Sequence, residues 1–211
     1  MMKTKTASAV LAIIALTALS ACTTDPKPNP TTSTTGTTTA STSPTPTPST
    51  VAPPTPVTSN APASSEQAIE TAGQAAIAYF KMGNIIAQES GANPQRIAPF
   101  ATDRALEVAN AQAKNYATQQ FKMIGFYNVT VSHDQSTASD LAQQNGTAVR
   151  FGEVILNTCV DISTAKFLDG SGNAVPDKDN LPRRVVNVTV GYNPADKTWK
   201  VVDTSGAPVA C

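Results

Sequence analysis

Between residues 64 and 120 apolar side chains recur every three or four positions, and after Gly125 they recur every second position. That change of period predicts helices followed by strands. Ser64-Ser65-Glu66-Gln67 has the spacing of a capping box, so a first helix is expected to begin there. Its apolar stripe is Ile69, Ala72, Ala76, Phe80 and, after a slight shift, Ile86; Ser90-Gly91 ends it. Asn93-Pro94 and Pro99 bracket a second, short helical turn. A third helix is expected from Asp103 to about Gln120, capped by Thr102, with Leu106, Ala109, Ala113, Tyr116 and Ala117 on one side. All these stripes read as core.

In the second half, Tyr127, Val129, Val131 and His133 alternate with polar residues and share one strand face. The polar stretch from Asp134 to Asn145-Gly146 reads as a loop. Thr147 to Ile162 is a long strand whose alternation slips near Gly152, where a bulge is expected. Arg183 to Tyr192 and Thr198 to Thr204 supply two more strands, joined by a turn at Asn193-Pro194-Ala195-Asp196-Lys197. The expected fold is therefore α+β, with three N-terminal helices packed on a curved antiparallel four-stranded sheet, in a domain spanning residues 64–211. At about 148 residues it is large enough to bury roughly two thirds of its unfolded surface.

Ahead of that domain the pattern is different. Residues 22–63 are dominated by Thr, Ser and Pro, with Asp25 and Lys27 the only charges. Such a segment cannot bury enough apolar surface to offset its ordering entropy, and it reads as a disordered stalk, on the order of 120 Å long if fully extended. Thr-Pro stalks can be O-glycosylated; an unmodified tether is the plainer reading. Residues 1–21 carry Lys3 and Lys5 and then an apolar run from Ala7 to Ala21, too short to span a bilayer. The run closes on Leu19-Ser20-Ala21-Cys22, which resembles the lipobox of bacterial lipoproteins. The resemblance implies removal of residues 1–21, acylation of the Cys22 thiol, and residence on the outer face of the cell membrane through diacylglycerol, whose two chains suffice for stable anchoring. An ordinary secretory cleavage after the Ala-rich run is the alternative.

If Cys22 carries lipid, Cys159 and Cys211 remain as a pair. Outside the cytoplasm a disulfide between them can persist and would pin the C-terminus, whereas two free thiols are the other reading. Two cysteines and one distant histidine do not have zinc-site spacing. The whole chain has 15 basic and 15 acidic residues; without Lys3 and Lys5 the balance is 13 to 15, a net charge of −2. No basic patch speaks for nucleic acid, and Arg183-Arg184 reads as a solvated strand start.

Cys159-Val160-Asp161 at the end of the long strand, Trp199-Lys200-Val201 in the last one, the terminal Cys211 and the Thr/Pro stalk together resemble lipoproteins of actinobacteria and their phages. Those proteins carry a nuclear-transport-factor-like domain. The resemblance covers residues 64–211 and implies a cone closed by three helices. That superfamily includes isomerases, polyketide cyclases and dehydratases alongside pockets with no chemistry, and its enzymes place an Asp, or a His-Asp pair, inside the cone. The candidates are His133-Asp134, Asp161 and Asp203. Adjacent strand residues point to opposite faces, which argues against a His133-Asp134 dyad, and Asp161 shares a face with Cys159. Strand-end or solvated polar groups are the plainer reading of all four.

Asp169-Gly170-Ser171-Gly172-Asn173 with Asp177 looks like an oxygen-rich calcium loop. Ala174 stands where the turn needs glycine, and Asn180 where a bidentate Glu should close the shell, so a hairpin loop fits better. The sequons at Asn128, Asn145 and Asn187 carry little meaning in a bacterial lipoprotein. No triad, phosphate loop or cofactor motif is present, and no cofactor or metal is expected. The expected function is a non-enzymatic, membrane-tethered binding module of the cell envelope, its partner another envelope protein or an apolar ligand. A phage-encoded lipoprotein that excludes superinfecting phage, and an isomerase- or cyclase-like enzyme, are the alternatives.

Overall fold

The computed structural model describes residues 52–143, 146–176, 181–206 and 209–211. The chain divides into two units, and everything below concerns the second, Ser49–Cys211. Residues 1–21, read above as a signal, Cys22 and most of the Thr/Pro stretch lie outside the described residues.

Strand β1 (Val57–Thr58) is followed by helix α1 (Ser65–Gln88), a 3-10 turn (Pro94–Ile97) and helix α2 (Asp103–Gln119). Six strands follow: β2 (Lys122–Ile124), β3 (Asn128–Ala142), β4 (Ala148–Asp161), β5 (Lys166–Leu168), β6 (Arg183–Asn193) and β7 (Thr198–Gly206). The main sheet is antiparallel in the order β1-β7-β6-β4-β3, and β2 pairs with β5 in a separate two-stranded sheet.

Three helices on a four-stranded sheet, the arrangement implied by the nuclear-transport-factor-like resemblance, is thus not what the chain forms. Among the described residues there are two α-helices, a five-stranded sheet and the small β2-β5 sheet. Pro94 can only start a helix and Pro99 has no amide to carry one on, so four residues close as a 3-10 turn that buries Ile97. The fifth strand comes from Val57 and Thr58, inside the segment read as stalk, whose backbone pairs with Trp199 and Thr198. Nor does β3 stop at His133. It runs on to Ala142 through a bulge between Ser132 and Thr137, where Ser136 Oγ donates to the Ser132 carbonyl and accepts from the Asn157 amide. Its far half is an edge with little apolar alternation, which is why it read as loop.

Helix α1 starts as its sequence predicts: Ser64 Oγ accepts from the Gln67 amide, and Gln67 Oε1 accepts from the Ala63 amide. Ala68, Ala72, Ala75 and Ala76 are fully or nearly fully buried, and their small side chains let α1 lie close against the sheet. Thr102 precedes α2, but its hydroxyl makes no cap hydrogen bond; instead its amide donates to the Val201 carbonyl, tying the helix start to β7. The inner face of the sheet takes alternate residues: Val154, Leu156, Thr158 and Val160 on β4, and Val186, Val188, Val190 and Tyr192 on β6. Thr158 is satisfied within this apolar layer by donating to the Val186 carbonyl at 2.6 Å. The expected bulge lies in β4 between Val149 and Glu153. A Cβ on Gly152 there would sit 2.9 Å from Val149 Cβ and 3.0 Å from Leu141 Cβ, so only glycine fits the close approach.

Candidate ligand cavity

A cavity of about 600 Å³ lies between the two helices and the inner face of the sheet. It exists because α2 presents small residues to the sheet: Ala105 and Ala113 are its only buried positions, and they leave space that β6 and β7 do not fill. Phe80 and Ile86 of α1, Ile97, Val160 and Val186 supply apolar wall. A neighbouring hollow of about 200 Å³ shares Ile162, Phe167 and Val175 with it.

Of the polar side chains on this lining, Tyr116, Tyr127 and Arg184 come together; Tyr79, Gln112, Asn115 and Thr204 are the others. Arg184 arrives through strand register. It is in phase with Val186 and Val188 and sits opposite Val160, so it points to the inner face, and its Nε is shielded from water. It is the one charged side chain among the described residues that line the cavity.

Tyr116 stacks on Phe167 of β5, with ring centroids 5.4 Å apart, and is hydrogen-bonded to Tyr127. Burial pushes the Tyr116 hydroxyl above its ordinary value, opposed by the hydrogen bond with Tyr127 and by the charge of Arg184. At neutral pH it is a neutral phenol able to donate.

Tyr127 is held by α1. The buried Asn84 side chain accepts from the Tyr127 amide at 3.1 Å and donates to its carbonyl at 3.2 Å, imitating a strand partner. One turn further, Gln88 Nε2 donates to the Gly125 carbonyl at 2.6 Å. Gly125 has φ of 78°, and a Cβ there would lie 2.1 Å from the Thr164 carbonyl oxygen, so the turn into β3 requires glycine.

The residues singled out by sequence are not brought together. His133 and Asp134 lie in the bulge of β3, both exposed, with His133 Nε2 3.8 Å from Glu70 Oε2. The opposite-faces argument is moot there, because the bulge interrupts the alternation. Asp161 does share the outer face with Cys159: Arg183 Nε lies 3.7 Å from Asp161 Oδ2, and Arg183 Nη2 lies 3.6 Å from Cys159 Sγ. Hydrogen bonding from Ser163, with a smaller contribution from Arg183, holds the Asp161 carboxyl below its ordinary value. Asp203 lies 3.4 Å from Arg104 Nε. None of these four lines the cavity.

Cys159 and Cys211 form a disulfide, with Cα atoms 5.8 Å apart. The calcium-like loop turns inward on itself, since Asp169 Oδ1 accepts from the Ser171 and Asn173 amides, each at 2.9 Å. Asp177, Asn180 and Asn145 lie outside the described residues. Among the described residues no group of three or more His, Cys, Asp or Glu could hold a metal ion, and no helix is long and apolar enough to cross a membrane. Asn128 and Asn187 fall within β3 and β6.

No family model matches this chain. No curated protein matches it either. Among solved structures it is similar to the intermembrane space region of the chloroplast protein ARC6. The two are 12% identical with a TM-score of 0.43, and the match covers 68% of this chain and 97% of that one.

Proposed function

We propose that this protein is a lipid-anchored, extracytoplasmic binding module that holds a small, mainly apolar molecule between its helices and its sheet. The observation that carries the binding part is the cavity: about 600 Å³, walled by aromatic and aliphatic side chains, with a few polar groups converging on it. That volume and lining are ordinary for small-molecule sites. The anchoring part rests on Leu19-Ser20-Ala21-Cys22 and the basic-then-apolar run before it. Binding rather than catalysis is favoured because the described lining offers no carboxylate or imidazole to act as a general base at neutral pH, and burial makes the Tyr116 phenol a weaker acid still. In this reading the Thr/Pro stretch is the tether, and the envelope supplies the ligand.

Two measurements test the two parts. Cys22→Ala should move the protein from membrane to soluble fractions, and persistence in the membrane would refute the lipid anchor. Native mass spectrometry of the full chain purified from envelopes should show an adduct of small-molecule mass. The adduct should vanish in Ala109→Trp, which fills the cavity from α2, and an adduct that survives this change would place the ligand elsewhere.

A further inference from the structure

Resting on the anchoring reading above, we infer that the exposed face of the β2-β5 ribbon is a membrane-contact surface. It lays the tethered domain on an anionic lipid bilayer through Lys122, Ile124, Phe126 and Lys166. Register puts these residues together. Lys122 pairs with Leu168, Met123 with Phe167 and Ile124 with Lys166, and directly opposed residues share a face. Met123 is buried, and Phe167 on the same face stacks on Tyr116 of α2. Lys122, Ile124, Lys166 and Leu168 therefore face outward, with Ile124 42% exposed. Gly125 turns the chain, and Phe126 follows, 48% exposed, its carbonyl accepting from Thr164 Oγ1 at 3.1 Å. The Gln88 bond to the Gly125 carbonyl fixes this turn to α1.

Charge identifies what covers the two apolar side chains. Among the described residues neither Lys122 nor Lys166 is in an ion pair. Residues 120–127 and 162–168 contain no Asp or Glu. The acids that flank β5 are engaged elsewhere, Asp161 with Ser163 and Arg183, and Asp169 with the Ser171 and Asn173 amides. Without Lys3 and Lys5 the chain carries −2, so an anionic surface repels the molecule as a whole and attracts it at this face, which sets its orientation. Lipid offers what the face needs: headgroup charge for two ammonium groups on long stems, and the acyl boundary for Ile124 and the Phe126 ring. Each lysine near such a surface is worth about fivefold in affinity, too little to hold a free protein on a bilayer. The tether makes it sufficient. Cys22 and Val57 are 35 positions apart, and a flexible coil of that length averages roughly 30–35 Å, so the anchored domain meets its own bilayer at high effective concentration.

The test is reconstitution of the full chain, purified from envelopes, into vesicles of phosphatidylglycerol or phosphatidylcholine with brominated acyl chains, which quench tryptophan on contact. Trp199 is 1% exposed and gives a constant background. Phe126→Trp should be quenched in phosphatidylglycerol vesicles, while Ile155→Trp, at an exposed position on the outer face of the main sheet, should not. Adding Lys122→Gln and Lys166→Gln to Phe126→Trp should lower the docked-to-free ratio about 25-fold. Phosphatidylcholine vesicles, or raised salt, should release the domain likewise. If Phe126→Trp does not fold by circular dichroism, Ile124→Trp takes its place. Flotation of the vesicles reads the anchor separately. A chain that floats without quenching at position 126 overturns the membrane contact, leaves the anchor standing and assigns the apolar pair to a protein partner. Equal quenching at 126 and 155 also overturns it. A chain that does not float overturns the anchor and this contact with it.

Discussion

The indole Nε1 of Trp199 donates a 2.9 Å hydrogen bond to the hydroxyl of Ser59, a residue 140 positions earlier in the chain. Around this bond the Tyr192 hydroxyl donates to the Ser59 carbonyl at 3.1 Å, and the Ser59 amide donates to the Lys197 carbonyl at 3.0 Å. The Tyr192 and Trp199 rings are 5.3 Å apart and both are buried. A segment of stalk-like composition therefore closes the core by giving two buried aromatics their polar partners and covering the outer edge of β7.

Ser59→Ala should consequently cost about 1–3 kcal/mol, because it leaves a buried indole N–H without its acceptor. Urea unfolding of the variant against the parent measures this directly. A shortened chain beginning at Ser64 should lose more, since it also uncovers the β7 edge. Equal midpoints for Ser59→Ala and the parent would mean that water replaces the hydroxyl at no cost.

The disulfide predicts a larger effect. Cys159 and Cys211 are 52 positions apart, and in the chain-entropy model a loop of that size stabilises the folded state by about 4 kcal/mol. The bond also holds the tail where the Val209 carbonyl accepts from the Val185 amide. Cys211→Ser should lower the midpoint of thermal unfolding and make it insensitive to reductant, whereas the parent should fall to the same value on reduction. Mass analysis without reductant should show two hydrogens lost, and two alkylatable thiols would refute the bridge.

Local signals were legible where local physics decides. The Ser64-Gln67 cap, the alanine stripe of α1, the inward alternation of β4 and β6 and the bulge at Gly152 all follow from spacing and side-chain size. What escaped depends on distant partners. Val57-Thr58 is a strand only because β7 offers an open edge, and the polar half of β3 has no inward stripe to announce it. Residues 166–168 form a strand only against residues 122–124.

The cavity residues are visible in the sequence but read differently there. Period puts Tyr116 on the core stripe of the second long helix and Tyr127 on one strand face with Val129 and Val131, while Arg184 reads as solvated with its neighbour Arg183. Phase would have separated the two arginines: Arg184 is in step with Val186, Val188 and Val190, and Arg183 is not. An ionisable residue in the apolar phase of a strand is the signal to look for. Asn84 carried a similar sign, an amide on the buried side of α1 with no local reason to be there.

Alkali should reveal how deeply Tyr79 is set in the core. Burial pushes its hydroxyl from 10.0 up to about 12, and the residue is 9% exposed. Its folded value is raised above its unfolded one, so the contribution is fully present below pH 10 and is lost as pH rises from 10 through about 12. The change should amount to about 2 kcal/mol. Tyr79→Phe gives up only a long 3.5 Å bond to the Ala105 carbonyl, so it should unfold like the parent at pH 7 and show a shallower loss above pH 10. Unfolding midpoints at pH 7, 10 and 11.5 for both proteins check this, and parallel alkaline limbs would place the proton release on other groups.

Asn84 should matter to the cavity out of proportion to its distance from any ligand, because it fixes Tyr127 through the backbone. Asn84→Ala removes the hydrogen bonds to both Tyr127 peptide groups, each worth about 1–3 kcal/mol when left unmet, so a loss of roughly 2–6 kcal/mol is expected. Gly125→Ala should be comparably damaging for a different reason, the collision of its Cβ with the Thr164 carbonyl at a backbone angle alanine resists. Amide hydrogen exchange separates the two. In Asn84→Ala the Tyr127 amide should lose its protection while the amides paired between β3 and β4 keep theirs. In Gly125→Ala the disturbance should extend to the turn at residues 162–165, whose backbone the new methyl displaces. Full protection of Tyr127 in Asn84→Ala would show that the Asn84 amide clamp does not position it.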